Sequence, residues 1–95
     1  MDLFDIIIDD GGHTMKQQQT SLLTLLPLVN YKGIYVIEDL ETSYSPEYEN
    51  STTTISLIKT LVDELQPQSL TRTNPILNRI FSFEISRGIC FFTIK

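Results

Sequence analysis

Two short apolar runs, Ile6 to Ile8 and Ile34 to Ile37, each stop abruptly at carboxylates: IIIDDGGH at Asp9 and Asp10, IYVIEDL at Glu38 and Asp39. A run of β-branched and apolar residues this short, ended by acidic residues, reads as a buried parallel strand rather than a helix. In open α/β sheets ligands bind just outside the carboxyl ends of such strands. Two neighbouring strands would therefore aim four carboxylates, together with the imidazole of His13, at one place.

The rest of the chain fits an alternation of strands and helices. Phe4 to Asp9 is the first expected strand. Thr14, with Gln17 three residues on, has the spacing of a helix-starting capping box, and Met15, Leu22, Leu25 and Leu26 then lie towards one face until Pro27 ends the segment. VNYKG is expected to be a loop, with Gly33 at its turn, before the second strand at Ile34 to Ile37. The polar stretch ETSYSPEYENSTTT, containing Pro46, reads as a long loop, and a loop of that length in a compact domain is more often functional than idle.

Ile55, Ile58, Leu61, Val62 and Leu65 recur at helical spacing, with Pro67 closing the helix, and PQSLTRTNPILN follows as an irregular connection. Phe81, Phe83 and Ile85 then alternate with polar residues, and Ile89 to Ile94 is nearly all apolar. Arg87 and Gly88 between them suit the tight turn of an antiparallel hairpin. The expected architecture is β-α-β-α-β-β, one α/β domain over residues 1–95 with a mostly parallel sheet, one antiparallel strand and right-handed crossovers.

Composition sets limits. A chain of 95 residues supports one small core, and 41% hydrophobic with 20% charged residues is the balance of a soluble globular domain. A net charge of −5 argues against a nucleic-acid backbone as partner, because little here neutralises a row of phosphates. The single cysteine, Cys90, sits in the apolar run ICFF and reads as a core residue. With no basic-then-apolar leader and no apolar stretch of spanning length, the sequence is read as cytoplasmic.

Carboxylate oxygens clustered at strand ends suit magnesium or manganese better than zinc. His13 lies past two glycines that let the backbone turn back, and an imidazole titrating near neutral pH is an efficient general base for a hydroxyl acidified by a cation. Each residue alone has a plainer reading: a single Asp closing a strand is more often a turn former, and a lone His after Gly-Gly is usually solvated. Tyr35, Tyr44 and Tyr48 read as packing or loop residues, with slight functional weight on Tyr44 for its closeness to the acidic strand end. The conjunction of acidic pairs on two successive strands with His between them favours a site.

FDIIIDDGGH, a helix, and LVNYKGIYVIEDLETSY resemble the class I S-adenosylmethionine-dependent methyltransferases of the magnesium-dependent sugar O-methyltransferase type, the group of the mycinamicin macrolide enzymes. ISLIKTLVDELQ and IFSFEISRGICFFTIK are similar to that family's following helix and terminal hairpin, so the resemblance covers nearly the whole chain. It implies a partial Rossmann-like class I methyltransferase sheet, equivalent to strands 4-5-7-6 with the last strand antiparallel and the first three strands missing.

Carried over by residue, the resemblance makes Asp10, Glu38 and Asp39 the magnesium ligands and His13 the general base. Asp9 is left to orient the site or line the cofactor pocket, and Gly12 stands where the family often has Ser. The implied activity is methyl transfer to a sugar or similar hydroxyl. The family binds S-adenosylmethionine at a Gly-rich turn after its first strand, and only eight residues precede Asp9. The expectation is therefore a metal- and acceptor-binding half that is inactive alone and binds the methyl donor only when an N-terminal half is supplied. The alternatives are a non-catalytic remnant or module pairing through its open strand edge with another subunit or a second copy, and, last, a phosphoryl-transfer receiver, for which no lysine is well placed.

Overall fold

A computed structural model describes residues 3–9, 14–45, 53–66 and 75–95. Its strands are β1 (Phe4–Asp9), β2 (Val29–Ile37), β3 (Ile80–Ser86) and β4 (Ile89–Ile94); its helices are α1 (Met15–Leu25) and α2 (Thr54–Leu65). They form one four-stranded sheet in the order β1-β2-β4-β3. β1 and β2 are parallel, and β4 runs antiparallel to both β2 and β3. The alternation and the single antiparallel strand expected from the sequence are both present, and β4 occupies an inner position.

Local chemistry explains the element boundaries. The Thr14 side chain accepts from the Gln17 backbone N–H at 3.1 Å, while the Gln17 carboxamide accepts from the Thr14 N–H at 3.3 Å, so two otherwise unpaired donors at the start of α1 are satisfied reciprocally. After Leu25 the chain tightens into a 3₁₀ turn, Leu26–Leu28, that carries Pro27. Thr53 caps α2 by accepting from the Ser56 N–H. The β3–β4 turn is Arg87-Gly88, with Gly88 at a φ of 72° that side-chain-bearing residues rarely adopt. Pro46, Tyr48 and Pro67 lie outside the described residues.

Both helices cover the same face of the sheet. Leu22 and Leu26 of α1 and Ile58 and Leu61 of α2 form one core with Tyr35, Ile37, Ile80, Cys90, Phe92 and Ile94. Tyr35 and Phe83 each meet Phe92 edge-on, with ring centroids 6.3 and 5.0 Å apart, an arrangement that sets ring edge against ring face. Arg79 ties the connection before β3 to the start of β2, donating to the carbonyls of Pro27 and Val29 at 3.3 and 2.7 Å. No helix among the described residues is long and apolar enough to cross a membrane.

Three expectations need correction. VNYKG is not a loop but the first part of β2, which starts at Val29. The chain stays in the sheet because Lys32, at φ 66°, absorbs an irregularity: β1 advances from Phe4 to Ile6 while β2 advances from Val29 to Ile34. The stretch after Asp39 is not all loop, since Leu40–Tyr44 is a 3₁₀ turn, and within the connection before β3, Pro75–Arg79 is another. Finally, β1 is not a buried strand: it is covered on one side only, where Ile7 is partly buried against the core. It is an edge strand, and Phe4, Ile6 and Ile8, which share a face, are 55–61% exposed because no described helix packs there. β3 behaves similarly: Phe81 is the extra residue of a bulge between Ile80 and Ser82 and is 68% exposed, whereas Phe83 packs on the core.

Gly33 is required by contact rather than by φ. A β-carbon there would come within 2.6 Å of the Asp5 carbonyl oxygen and 2.9 Å of that of Asn30, both backbone atoms rather than movable side-chain ends. Gly33→Ala is expected to lower the unfolding free energy by about 1–3 kcal/mol, as overpacking does, measured by urea denaturation; an unchanged midpoint would contradict the close approach.

Candidate functional site

Parallel pairing brings the ends of β1 and β2 level. Asp9 is in register with Ile37, and the Glu38 N–H donates to the Asp9 carbonyl at 3.2 Å, extending the ladder one residue past β2. Glu38 and Asp39 therefore emerge beside the end of β1. Asp10 and His13 lie outside the described residues, which approach them from both sides, at Asp9 and at Thr14.

Asp39 takes the left-handed backbone conformation, φ 58° and ψ 37°, a region that Asp tolerates better than most residues. Its carbonyl is surrounded by donors: the Thr42 N–H at 3.2 Å, the Thr42 hydroxyl at 2.9 Å and the Gln18 carboxamide at 3.4 Å. The chain then turns through Leu40–Tyr44, with Leu40 buried and its N–H donating to the Gly88 carbonyl at 2.9 Å. The β3–β4 turn is thus fastened to the acidic strand end. Between them opens a cleft of about 460 Å³ lined by Glu38, Asp39, Glu41, Arg87, Gly88 and Ile89. The Glu41 carboxylate lies over Gly88, occupying the space a β-carbon would need. With Glu38, Asp39 and Glu41 against the single Arg87, the residues lining the cleft carry an excess of negative charge. Tyr44, at the end of the 3₁₀ turn, is 72% exposed.

Asp9 faces the helix-covered side of the sheet. The hydroxyl of Tyr35, a residue with no solvent exposure, donates to the Asp9 carboxylate at 2.9 Å. Burial, reinforced by that carboxylate, holds the Tyr35 phenol well above its ordinary ionisation range. Tyr35 is therefore both the packing residue expected and a hydrogen-bond partner that the sequence did not reveal. Cys90 is a core thiol as expected, and burial pushes it up to about 12.

The structure brings Glu38 and Asp39 together and sets Asp9 beside them. Among the described residues no three His, Cys, Asp or Glu side chains are grouped closely enough to hold a metal ion. The carboxylates of Glu38 and Asp39 are hard oxygen donors at the carboxyl end of a strand, a donor chemistry that fits magnesium. Sequence reasoning missed Gln18, Ser43 and Thr54, all buried behind Asp39. The available signal was Gln18 itself, a polar residue on the apolar stripe of Met15, Leu22 and Leu26.

No family model matches the chain. It is 44% identical over 79 residues to the 8-demethyl-8-(2-methoxy-alpha-L-rhamnosyl)-tetracenomycin-C 3'-O-methyltransferase of Streptomyces olivaceus, a match covering 76% of this chain and 20% of that protein. It is 45% identical over 74 residues to the demethylmacrocin O-methyltransferase of Streptomyces fradiae, covering 70% and 19%. The mycinamicin VI 2''-O-methyltransferase of Micromonospora griseorubida matches at 43% over 74 residues, covering 70% and 18%.

Among solved structures, the methyltransferase of the mycinamycin biosynthetic pathway in complex with Mg, SAH and mycinamycin VI superposes with a TM-score of 0.81 at 32% identity, over 96% of this chain and 26% of that one. A crystal form of the same enzyme with Mg and SAH gives 0.79 at 30% identity over the same shares. The sheet is thus part of a class I methyltransferase fold. The chain is homologous to the sugar O-methyltransferases, and it spans about a fifth of the length of the curated relatives it matches.

Tyr35 and Cys90 both have raised ionisation points in the folded chain, so each contributes stability that is intact below its unfolded value, near 10 and 9, and is lost as pH rises beyond it. The unfolding free energy should fall above pH 9. In Tyr35→Phe the part of that fall setting in near pH 10 should be missing, at a cost near neutral pH of about 1–2 kcal/mol for the lost bond to Asp9. Urea titrations across this range measure both effects; superimposable alkaline slopes would contradict the assignment.

Proposed function

We propose that this chain forms the metal- and acceptor-binding part of an S-adenosylmethionine-dependent O-methyltransferase acting on a sugar hydroxyl. The observation that carries the reading is Glu38-Asp39, held at the end of β2 level with Asp9, in a chain more than 40% identical to sugar O-methyltransferases. Its solved structural neighbours are complexes with Mg and SAH, one of them also with a macrolide.

In this reading Glu38 and Asp39, with Asp10, hold the cation. When bound there, magnesium would raise the acidity of a neighbouring hydroxyl and S-adenosylmethionine would supply the methyl group, departing as S-adenosylhomocysteine. His13 takes the acceptor's hydroxyl proton on a ring nitrogen, at a pH where imidazole is largely neutral. Glu41 and Arg87, on the rim of the same cleft, offer an acceptor and a donor for further sugar hydroxyls. Asp9, anchored by Tyr35, fixes the end of β1 beside Glu38.

The test uses manganese as a paramagnetic stand-in for magnesium. The chain should bind Mn²⁺, displaceably by Mg²⁺, with affinity reduced at least about tenfold in Glu38→Gln and in Asp39→Asn, since even outer-shell losses at metal sites cost that much. S-adenosylmethionine should show no calorimetric binding to this chain alone. Absence of Mn²⁺ binding, or binding indifferent to both substitutions, would overturn the proposal.

A second reading, a module that pairs through its open edge, is favoured by the exposed stripe of Phe4, Ile6 and Ile8 on edge strand β1. For pairing with a second copy it requires concentration-dependent association in sedimentation, abolished by Ile6→Lys, and a strictly monomeric chain would exclude that form of it.

A further inference from the structure

Gln18 is 1% exposed on the first turn of α1, in a stripe otherwise filled by Met15, Leu22 and Leu26. Burying a carboxamide is costly unless its groups find partners. Here they do, and in one direction. The carbonyl of Asp39 can only accept, so the amide nitrogen of Gln18 must face it, at 3.4 Å, with the Thr42 hydroxyl oxygen also in reach at 3.5 Å. The Gln18 oxygen then faces α2, where the Thr54 hydroxyl donates to it at 2.7 Å. Thr54 is fully buried at the start of α2, so the orientation of the carboxamide is set from one helix and delivered from the other. The Thr42 hydroxyl, donating to the same carbonyl at 2.9 Å, completes the cradle.

The group so held is the backbone of Asp39, in a left-handed conformation that L-residues usually avoid. We infer that Gln18 is a positioning residue for Asp39: the Thr54–Gln18 relay, with Thr42, stabilises the left-handed turn and so aims the Asp39 carboxylate into the cleft beside Glu38. The inference rests on the reading of Asp39 as a cation ligand only for its functional consequence; the backbone effect stands on its own. Gln18 makes no claim on substrate or metal. Its action on the site is through the peptide that carries the ligand.

Two readouts separate the layers. By NMR of the isotopically labelled chain, without metal, the Asp39 Cα, Cβ and carbonyl shifts should carry a left-handed signature in the wild type that Gln18→Met loses, while the shifts of β3 and β4 stay in place. Thr42→Val, which removes the hydroxyl donor at nearly constant volume, should move the same resonances and serves if Gln18→Met does not fold. In the second readout, Gln18→Met should weaken Mn²⁺ binding by about tenfold, the range of lost outer-shell partners. In an Asp39→Asn background, where the left-handed turn is tolerated but the carboxylate is gone, the same change should cost less than twofold.

A merely structural role for Gln18 would weaken Mn²⁺ equally in both backgrounds, and that result overturns the inference. Unchanged Asp39 shifts in Gln18→Met and Thr42→Val overturn it as well. If the wild type binds no Mn²⁺, the proposed function fails, and the shift measurement still decides whether Gln18 holds the turn.

Discussion

The constraint on which the rest of this structure depends is the parallel register of β1 with β2. Because Asp9 pairs with Ile37, and the Glu38 N–H reaches the Asp9 carbonyl, two segments separated by a helix end at one height. A slip by one residue would turn every side chain of a strand to the opposite face, moving Ile37 out of the core. Registry is secured from several sides: Tyr35 bonds to Asp9 across the pair, Asn30 donates to the Asp5 carboxylate at 2.9 Å, and Gly33, without a β-carbon, lets the Asp5 backbone of β1 approach β2 closely. The site is a by-product of that alignment.

Much of this was legible in the sequence because the residues involved speak locally. IIID and IYVI announce strands by β-branching, Thr14 with Gln17 announces a helix start, and Arg87-Gly88 announces a tight turn; all are found. The pair Glu38-Asp39 is read from position alone. What escaped is non-local. VNYKG has the composition of a loop, and only the neighbouring backbone of Asp5 shows why Gly33 sits inside a strand. The apolar alternation of Phe81, Phe83 and Ile85 reveals a strand but not the bulge that puts Phe81 into solvent. Gln18 looks like one more glutamine in KQQQ until α2 is packed against α1.

Behind the acidic strand end lies a small polar layer inside an otherwise apolar core. Besides Gln18 it contains Met15, whose sulfur accepts weakly from the Ser43 hydroxyl and the Thr54 N–H, each at 3.4 Å. The Ser43 hydroxyl oxygen in turn accepts from the Ile55 N–H at 3.4 Å. Polarisable sulfur suits this place because it tolerates several imperfectly aligned donors. The layer gives the buried end of α2 and the turn after Asp39 a common set of partners, so that neither sits there by hydrophobic contact alone.

The fastening of Leu40 to Gly88 also bears on the order in which the chain organises itself. β3 and β4 are joined by two residues and can zip together at once, whereas β4 must find β2 across a separation of more than fifty residues. Pairings of such long range carry a larger loop-closure entropy and form later. The bond from the Leu40 N–H to the Gly88 carbonyl spans that late junction. A partly folded chain with its hairpin already made would therefore leave the acidic turn unanchored, and the arrangement that gathers charge at the sheet's end arises only with the closure of the sheet itself.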